Sequence, residues 1–263
     1  MAPGSKFTRH SVACFGYDIP YAEAGSGDVI VSLPGSAGLE MSTAKDILAE
    51  SYRVIELDPP GWGDTPALAA EMKQRHLAIV LAEVIADLGI ARYHLIGTSM
   101  GGANAYWLAA QFPERVKSLT LEAPMVFHRQ EDLHNPDEGF IQALRAGAPA
   151  PDVSGYPAPP PHPRKPWADA NFFRDQMRKR FKMMAKTDYP GDNSALEEFA
   201  HRGKVPTTLL IGSEDEILKQ SFADQFQVTV PHAHVVRIEG ATHDIQNTAP
   251  EAFVAAMQAQ VCG

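Results

Sequence analysis

The sequence predicts an α/β protein: a mostly parallel sheet with helices on both faces. Three observations carry that expectation. Short runs rich in Val, Ile and Leu recur with little polar alternation, at Val29–Leu33, Arg53–Leu57, Tyr93–Gly97, Ser118–Leu121, Thr207–Ile211 and Val235–Ile238. Strands of that composition are buried on both faces. Stretches of helical period separate them, and strand alternating with helix implies parallel pairing through right-handed crossovers. Finally, 263 residues with 44% hydrophobic and 21% charged content can bury a large core, which excludes a disordered or collagen-like chain.

Taken in order, Thr8 to Ala22 reads as an antiparallel hairpin on the sheet edge, turning near Phe15-Gly16-Tyr17. Between the second and third runs, Leu77, Leu81, Val84 and Leu88 recur at helical steps, and Gly89 follows as a stop. A second apolar-periodic stretch runs from Pro250 to Val261. The alternation is interrupted between Pro124 and Val205. Eight prolines fall between Pro149 and Pro166, too dense for helix or central strand, so this part reads as a loop or strap. Beyond it Phe173, Met177, Phe181 and Met184 line one face of a helix. The expected organisation is a core of residues 1–124 and 205–263 with an insertion at 125–204 that sits over the sheet. No internal repeat is visible.

Charge narrows the partners. Lys plus Arg number 23 against 32 acidic residues, a net charge of −9, which a phosphate backbone would repel; nucleic acid is not an expected partner. Cys14 and Cys262 lie near opposite ends and read as free thiols in a reducing compartment. No run approaches the roughly 20 apolar residues of a membrane span. The first residues lack the apolar segment of a signal peptide. A soluble cytoplasmic protein is expected.

The strongest local signal is Gly97-Thr98-Ser99-Met100-Gly101-Gly102, between the run Tyr93–Ile96 and a helical stretch from Ala103 to Gln111. A nucleophile on so sharp a strand-to-helix turn projects above the sheet, and glycines flank it because side chains there would collide with strand and helix. The helix N-terminus behind Ser99 favours a developing oxyanion. Four further segments leave strand ends: Leu33-Pro34-Gly35-Ser36-Ala37-Gly38, Asp58 to Thr65, Gly212-Ser213-Glu214-Asp215 and Gly240-Ala241-Thr242-His243. Open parallel sheets bind ligands at the carboxyl ends of their strands.

These segments together resemble the α/β-hydrolase superfamily over nearly the whole chain outside the insertion. The order nucleophile, acid, histidine matches that of the family, here Ser99, Asp215 and His243. The resemblance implies an eight-stranded, mostly parallel sheet with a variable cap inserted after the sixth strand. Each expected role has a physical basis. Ser99 is a poor nucleophile until a base takes its proton, and His243 titrates near neutrality. Asp215 would fix the imidazole tautomer and stabilise the imidazolium. Backbone N–H groups of Ser36 and Met100 would receive the oxyanion. Where relatives carry His-Gly, this chain has Pro34-Gly35; proline has no N–H, and the donation is expected from Ser36.

Alternatives stand beside these. Glu122, near the end of the sixth strand, is a rival acid, whereas Asp244 is too close in sequence to His243 to turn back on its ring. His232 and His234 share a strand face as metal ligands do, but no carboxylate or cysteine is spaced to complete a set, and they read as surface residues. No metal or cofactor is expected. Trp62 reads as packing beside the site. Arg164 to Lys186 holds eight basic residues against Asp169 and Asp175. A solvated helix face is the plain reading; others are attraction of an anionic substrate by Arg174, Arg178 or Arg180, and contact of the Phe/Met face with lipid.

The expected function is serine hydrolysis of a carboxylic ester through an acyl-enzyme, with a small-molecule acyl substrate as partner. A serine nucleophile argues against the haloalkane dehalogenase and epoxide hydrolase branches, whose chemistry needs a carboxylate. Carbon–carbon bond hydrolysis of a ring-cleavage diketone, or lactone hydrolysis, is the alternative, although no Trp follows His243 as in many such enzymes. A non-catalytic ligand receptor on the same fold is the alternative from a different class.

Overall fold

A computed structural model describes residues 3–136, 138–157, 163–188, 194–203 and 205–262. Eight strands are found among them: β1 Thr8–Cys14, β2 Tyr17–Ala24, β3 Val29–Leu33, β4 Arg53–Leu57, β5 Tyr93–Thr98, β6 Val116–Glu122, β7 Thr207–Gly212 and β8 His234–Ile238. They form one sheet in the order β1-β2-β4-β3-β5-β6-β7-β8. Pairing is antiparallel between β1 and β2 and between β2 and β4, and parallel elsewhere. All six apolar runs are strands. The hairpin turns at Phe15 and Gly16, with φ of 49° and 79°, the left-handed pair that matches strand twist. Of the hairpin only β1 lies at a sheet edge, the other edge being β8; β2 lies one place inside, because Tyr21–Ala24 also pair with Val54–Leu57.

Helices α1 Thr43–Leu48, α2 Gln74–Asp87, α3 Met100–Gln111, α7 Ser221–Thr229, α8 Ile245–Thr248 and α9 Pro250–Cys262 flank the sheet. Successive strand residues point to opposite faces, and the core divides accordingly. Val31, Ile55, Leu95 and Leu209 pack with Leu77, Leu81 and Val84 of α2 and with α3 and α7. Ile30, Val54, Ile96 and Leu210 pack on the other side with Leu48, Ile245, Phe253 and Met257.

The insert between β6 and β7 carries α4 Glu138–Arg145, α5 Ala170–Met184 and α6 Ser194–Arg202. α4 and α6 have no counterpart in the sequence reading. α5 is the expected Phe/Met helix, capped by Asp169, whose side chain accepts from Phe172 N–H. Residues 149–157 and 163–166 are neither helix nor strand, as the proline density requires. Pro159, Pro160 and Pro161 lie outside the described residues, as does the Cys262 side chain. Cys14 is a buried free thiol. Among the described residues no helix is long and apolar enough to cross a membrane.

Candidate active site

Ser99 joins β5 to α3 with φ 50° and ψ −118°, a left-handed conformation that costs a non-glycine residue on the order of 1–3 kcal/mol. The surroundings hold it there. Its N–H donates to Glu122 O at 2.9 Å, and its carbonyl accepts from Met125 N at 2.8 Å and Gly102 N at 2.9 Å. The neighbouring glycines have no alternative: a Cβ on Gly97 would lie 2.5 Å from Ala105 Cβ, and one on Gly101 would lie 2.2 Å from Pro34 O. Close packing of strand, helix and the Pro34–Gly38 loop therefore dictates the glycine pattern seen in the sequence.

Asp215 sits in the turn after β7 and is buried. Its Oδ1 accepts from Ile217 N and Leu218 N, each at 2.8 Å. Both carboxylate oxygens lie 3.0 Å from His243 Nδ1. His243 follows β8, and its backbone N–H donates to Glu216 Oε2 at 3.0 Å. An ionised carboxylate only accepts, so it selects the tautomer with the proton on Nδ1 and leaves Nε2 as an acceptor. That Nε2 is buried without a hydrogen-bond partner. Burial pulls the imidazole pKa down, but the hydrogen bond and charge of Asp215, with Glu216 and Glu122, overcome it, and the net shift is upward.

Ser99, His243, Ser36 and Met100 all line one cavity of about 460 Å³. Its opposite wall is the insert, with Phe172, Phe173, Met177 and Arg180. The five residues singled out in the sequence thus fall into two groups: four on the cavity and Asp215 behind His243. At the rim Lys165 of the insert pairs with Asp244. Glu40 lies nearby; burial and then the Asp244 charge push its carboxyl up to about 7, against the pull of Lys165 and Lys45.

Glu122 occupies a different position from the one a rival acid needs. Its carboxylate accepts from Thr98 Oγ1 at 2.8 Å, from Gln246 N at 2.8 Å and from Gln246 Nε2. Gln246 Oε1 in turn accepts from Ser42 Oγ at 2.8 Å. This buried hub ties the segment after β3, the nucleophile strand and the histidine loop together. Gln246 escaped the sequence reading, since a glutamine three residues past a histidine carries no pattern of its own.

Of Arg174, Arg178 and Arg180, only Arg180 lines the cavity. Arg178 pairs with Asp175 at 3.4 Å, and Lys179 pairs with Asp64 at 3.1 Å and Asp175 at 2.9 Å. Lys182 donates to the carbonyls of Gly63 and Thr65, so much of the basic helix is spent on fastening the insert to the core. Trp62 is fully buried in the core. His232 and His234 are exposed, and the described residues include no cluster of three His, Cys, Asp or Glu able to hold a metal.

A serine at positive φ and an acid-bound imidazole, lining one cavity at the carboxyl ends of a mostly parallel sheet, define a class. The chain belongs to the alpha/beta hydrolase family, whose model matches residues 13–256. It is 36% identical over 136 residues to a 2-hydroxy-6-oxononadienedioate/2-hydroxy-6-oxononatrienedioate hydrolase of Burkholderia vietnamiensis, a match covering 48% of this chain and 47% of that protein. The aligned part is thus under half the length of that relative. Among solved structures, an esterase from Exiguobacterium antarcticum superposes with a TM-score of 0.72 at 20% identity, covering 96% of this chain and 99% of the esterase. A meta-cleavage product hydrolase superposes with a TM-score of 0.70 at 17% identity, covering 96% and 97%. At such identities the structural likeness speaks to the fold.

Proposed function

We propose that the protein is a serine hydrolase that cleaves carboxylic esters through an acyl-enzyme, with Ser99 as nucleophile, His243 as base and Asp215 as orienting acid. The observation that supports this most is the state of the imidazole: Nδ1 held by Asp215, Nε2 buried and unpartnered, in a cavity shared with Ser99. In this reading Nε2 takes the Ser99 proton as Oγ attacks the acyl carbon. The negative oxygen is received by the N–H groups of Ser36 and Met100, each worth about 3 kcal/mol of barrier. His243 then protonates the departing alcohol. Water, deprotonated by the same nitrogen, releases the acid and restores Ser99. The insert, residues 125–204, acts as a cap over a core of residues 1–124 and 205–263.

A second reading has its own support. The Burkholderia relative is named as a hydrolase of a 2-hydroxy-6-oxo dioate, a substrate class open to carbon–carbon cleavage, and Arg180 and Lys165 line the cavity as cations for a substrate carboxylate. The experiment has two parts. A fluorophosphonate should add one adduct to Ser99 and none to Ser99→Ala; no adduct on the wild-type serine would overturn both readings. Turnover of nitrophenyl esters against a ring-cleavage diketone then chooses between them, and faster diketone cleavage would displace the ester reading.

A further inference from the structure

A second hollow, of about 300 Å³, lies within the insert. Phe140 and Ile141 of α4, Phe181 of α5 and Tyr156 of the strap line it. Met177, Arg180 and Met184 line both this hollow and the active-site cavity, so these three side chains are the wall between them. Hollows of a few hundred Å³ lined by apolar side chains with a few polar groups are the usual form of a small-ligand site. Asn135 and Arg180 add polar groups to walls that are otherwise aromatic and aliphatic, with Phe140 and Phe181 edge to face at 5.2 Å between ring centroids.

The composition of the dividing wall decides the next step. Two methionines and an arginine are all long and unbranched, and such side chains change rotamer at little cost. No aromatic or β-branched residue stands in the partition, although such residues make up much of the outer lining. A wall of this kind yields to a ligand without backbone movement.

We propose that the hollow is a second substrate chamber, which receives an uncharged apolar arm, alkyl or aryl, of a substrate whose carbonyl sits at Ser99. The arm displaces Met177 and Met184 and lies between α4 and α5. The inference rests on the hydrolase reading for the position of the carbonyl, and deepens it by naming the substrate class. Arg180 borders both spaces, so its aliphatic stem packs along the arm while its guanidinium stays in the polar rim.

The test reads binding apart from chemistry. In Ser99→Ala, calorimetry compares N-methyloctanamide, which carries the arm on the acyl side, with N-octylacetamide, which carries it on the alcohol side; N-methylacetamide is the short reference. One of the two long amides should bind at least about tenfold tighter than the short one. Adding Ile141→Phe, or separately Ile141→Trp, should remove most of that advantage, since Ile141 faces the hollow and is absent from the cavity lining at Ser99. In the enzyme with Ser99 intact, the same fillings should lower the octanoyl-to-acetyl ratio of ester kcat/KM by a similar factor. Equal binding of long and short amides, or a long-arm advantage that survives both fillings in folded protein, would overturn the chamber. Either result can stand beside intact Ser99 labelling, so the chamber and the hydrolase reading fail separately.

Discussion

Two groupings of Ser, His and Asp sit at opposite ends of the same sheet, and they differ in what each imidazole has left to bind. At the carboxyl ends, His243 spends Nδ1 on Asp215 and keeps Nε2 unpartnered beside a cavity. At the amino ends, His94 Nδ1 meets Ser118 Oγ at 2.8 Å and Nε2 meets Asp28 Oδ2 at 3.2 Å. Both nitrogens are used, Asp28 also pairs with Lys117, and Ser118 is buried within β6, away from the residues of positive φ. The imidazoles respond in opposite senses. Burial drives His94 below the ordinary histidine value despite Asp28, whereas Asp215 and its acidic neighbours lift His243 above it against burial. Identical residue types therefore make a structural clasp in one place and a candidate proton relay in the other. What separates them is one unsatisfied nitrogen next to empty space.

Mutations should break this symmetry most sharply at the serines. Ser99→Ala should lower kcat/KM by about a millionfold, while Ser118→Ala should leave it within about twofold and cost about 1 kcal/mol in urea unfolding. Comparable activity in the two variants would contradict the assignment. Next, Asp215→Asn should cost about 10⁴-fold by leaving the wrong tautomer. Glu122→Gln should cost far less, about tenfold, and should move the acid limb of kcat/KM to lower pH, because the Glu122 charge helps to raise His243. An unmoved limb would show that the hub acts by geometry alone. Gln246→Leu keeps its backbone N–H on Glu122 but strips the Nε2 donor from that buried carboxylate and the Oε1 acceptor from Ser42, for which a stability loss of about 2 kcal/mol is expected.

The smallest effects concern stability against pH, and there the two histidines pull apart. His94 has a lowered native pKa, so the unfolded state binds more protons. Its contribution is present above the ordinary value of about 6.5 and is lost as pH falls below it. His243 has a raised native pKa, and its contribution is full below about 6.5 and lost as pH rises through the raised value. Unfolding free energy measured across the neutral range should become flatter on the acid side in His94→Asn and on the alkaline side in His243→Asn. The same response in both would refute the contrast.

How much of this was legible in the sequence depends on whether the determinant is local. The inner strands were visible because double burial makes each run apolar, the half-exposed edge run at β8 showing that apolar sequence does not require it, and the elbow because steric crowding forces glycine on both sides of Ser99. α4 and α6 went unread. α4 offers two apolar positions, Phe140 and Ile141, before its Ala and Leu, and its packing partner α5 lies about thirty residues on. The fastening of Lys179 and Lys182 to the Asp58–Thr65 loop was equally hidden, so a stretch read plainly as a solvated face, or else as steering, holds two charges that anchor a helix. Gln246 and the second hollow are products of tertiary register and leave no trace in spacing.

The bonds joining Ser42 to Gln246 and Thr43 to Asn247 each span 204 residues. Contacts so distant along the chain are slow to form and come late. On the proposed assignment, the serine elbow is synthesised 144 residues ahead of its base, so the site closes only once the segment after β8 has joined the sheet.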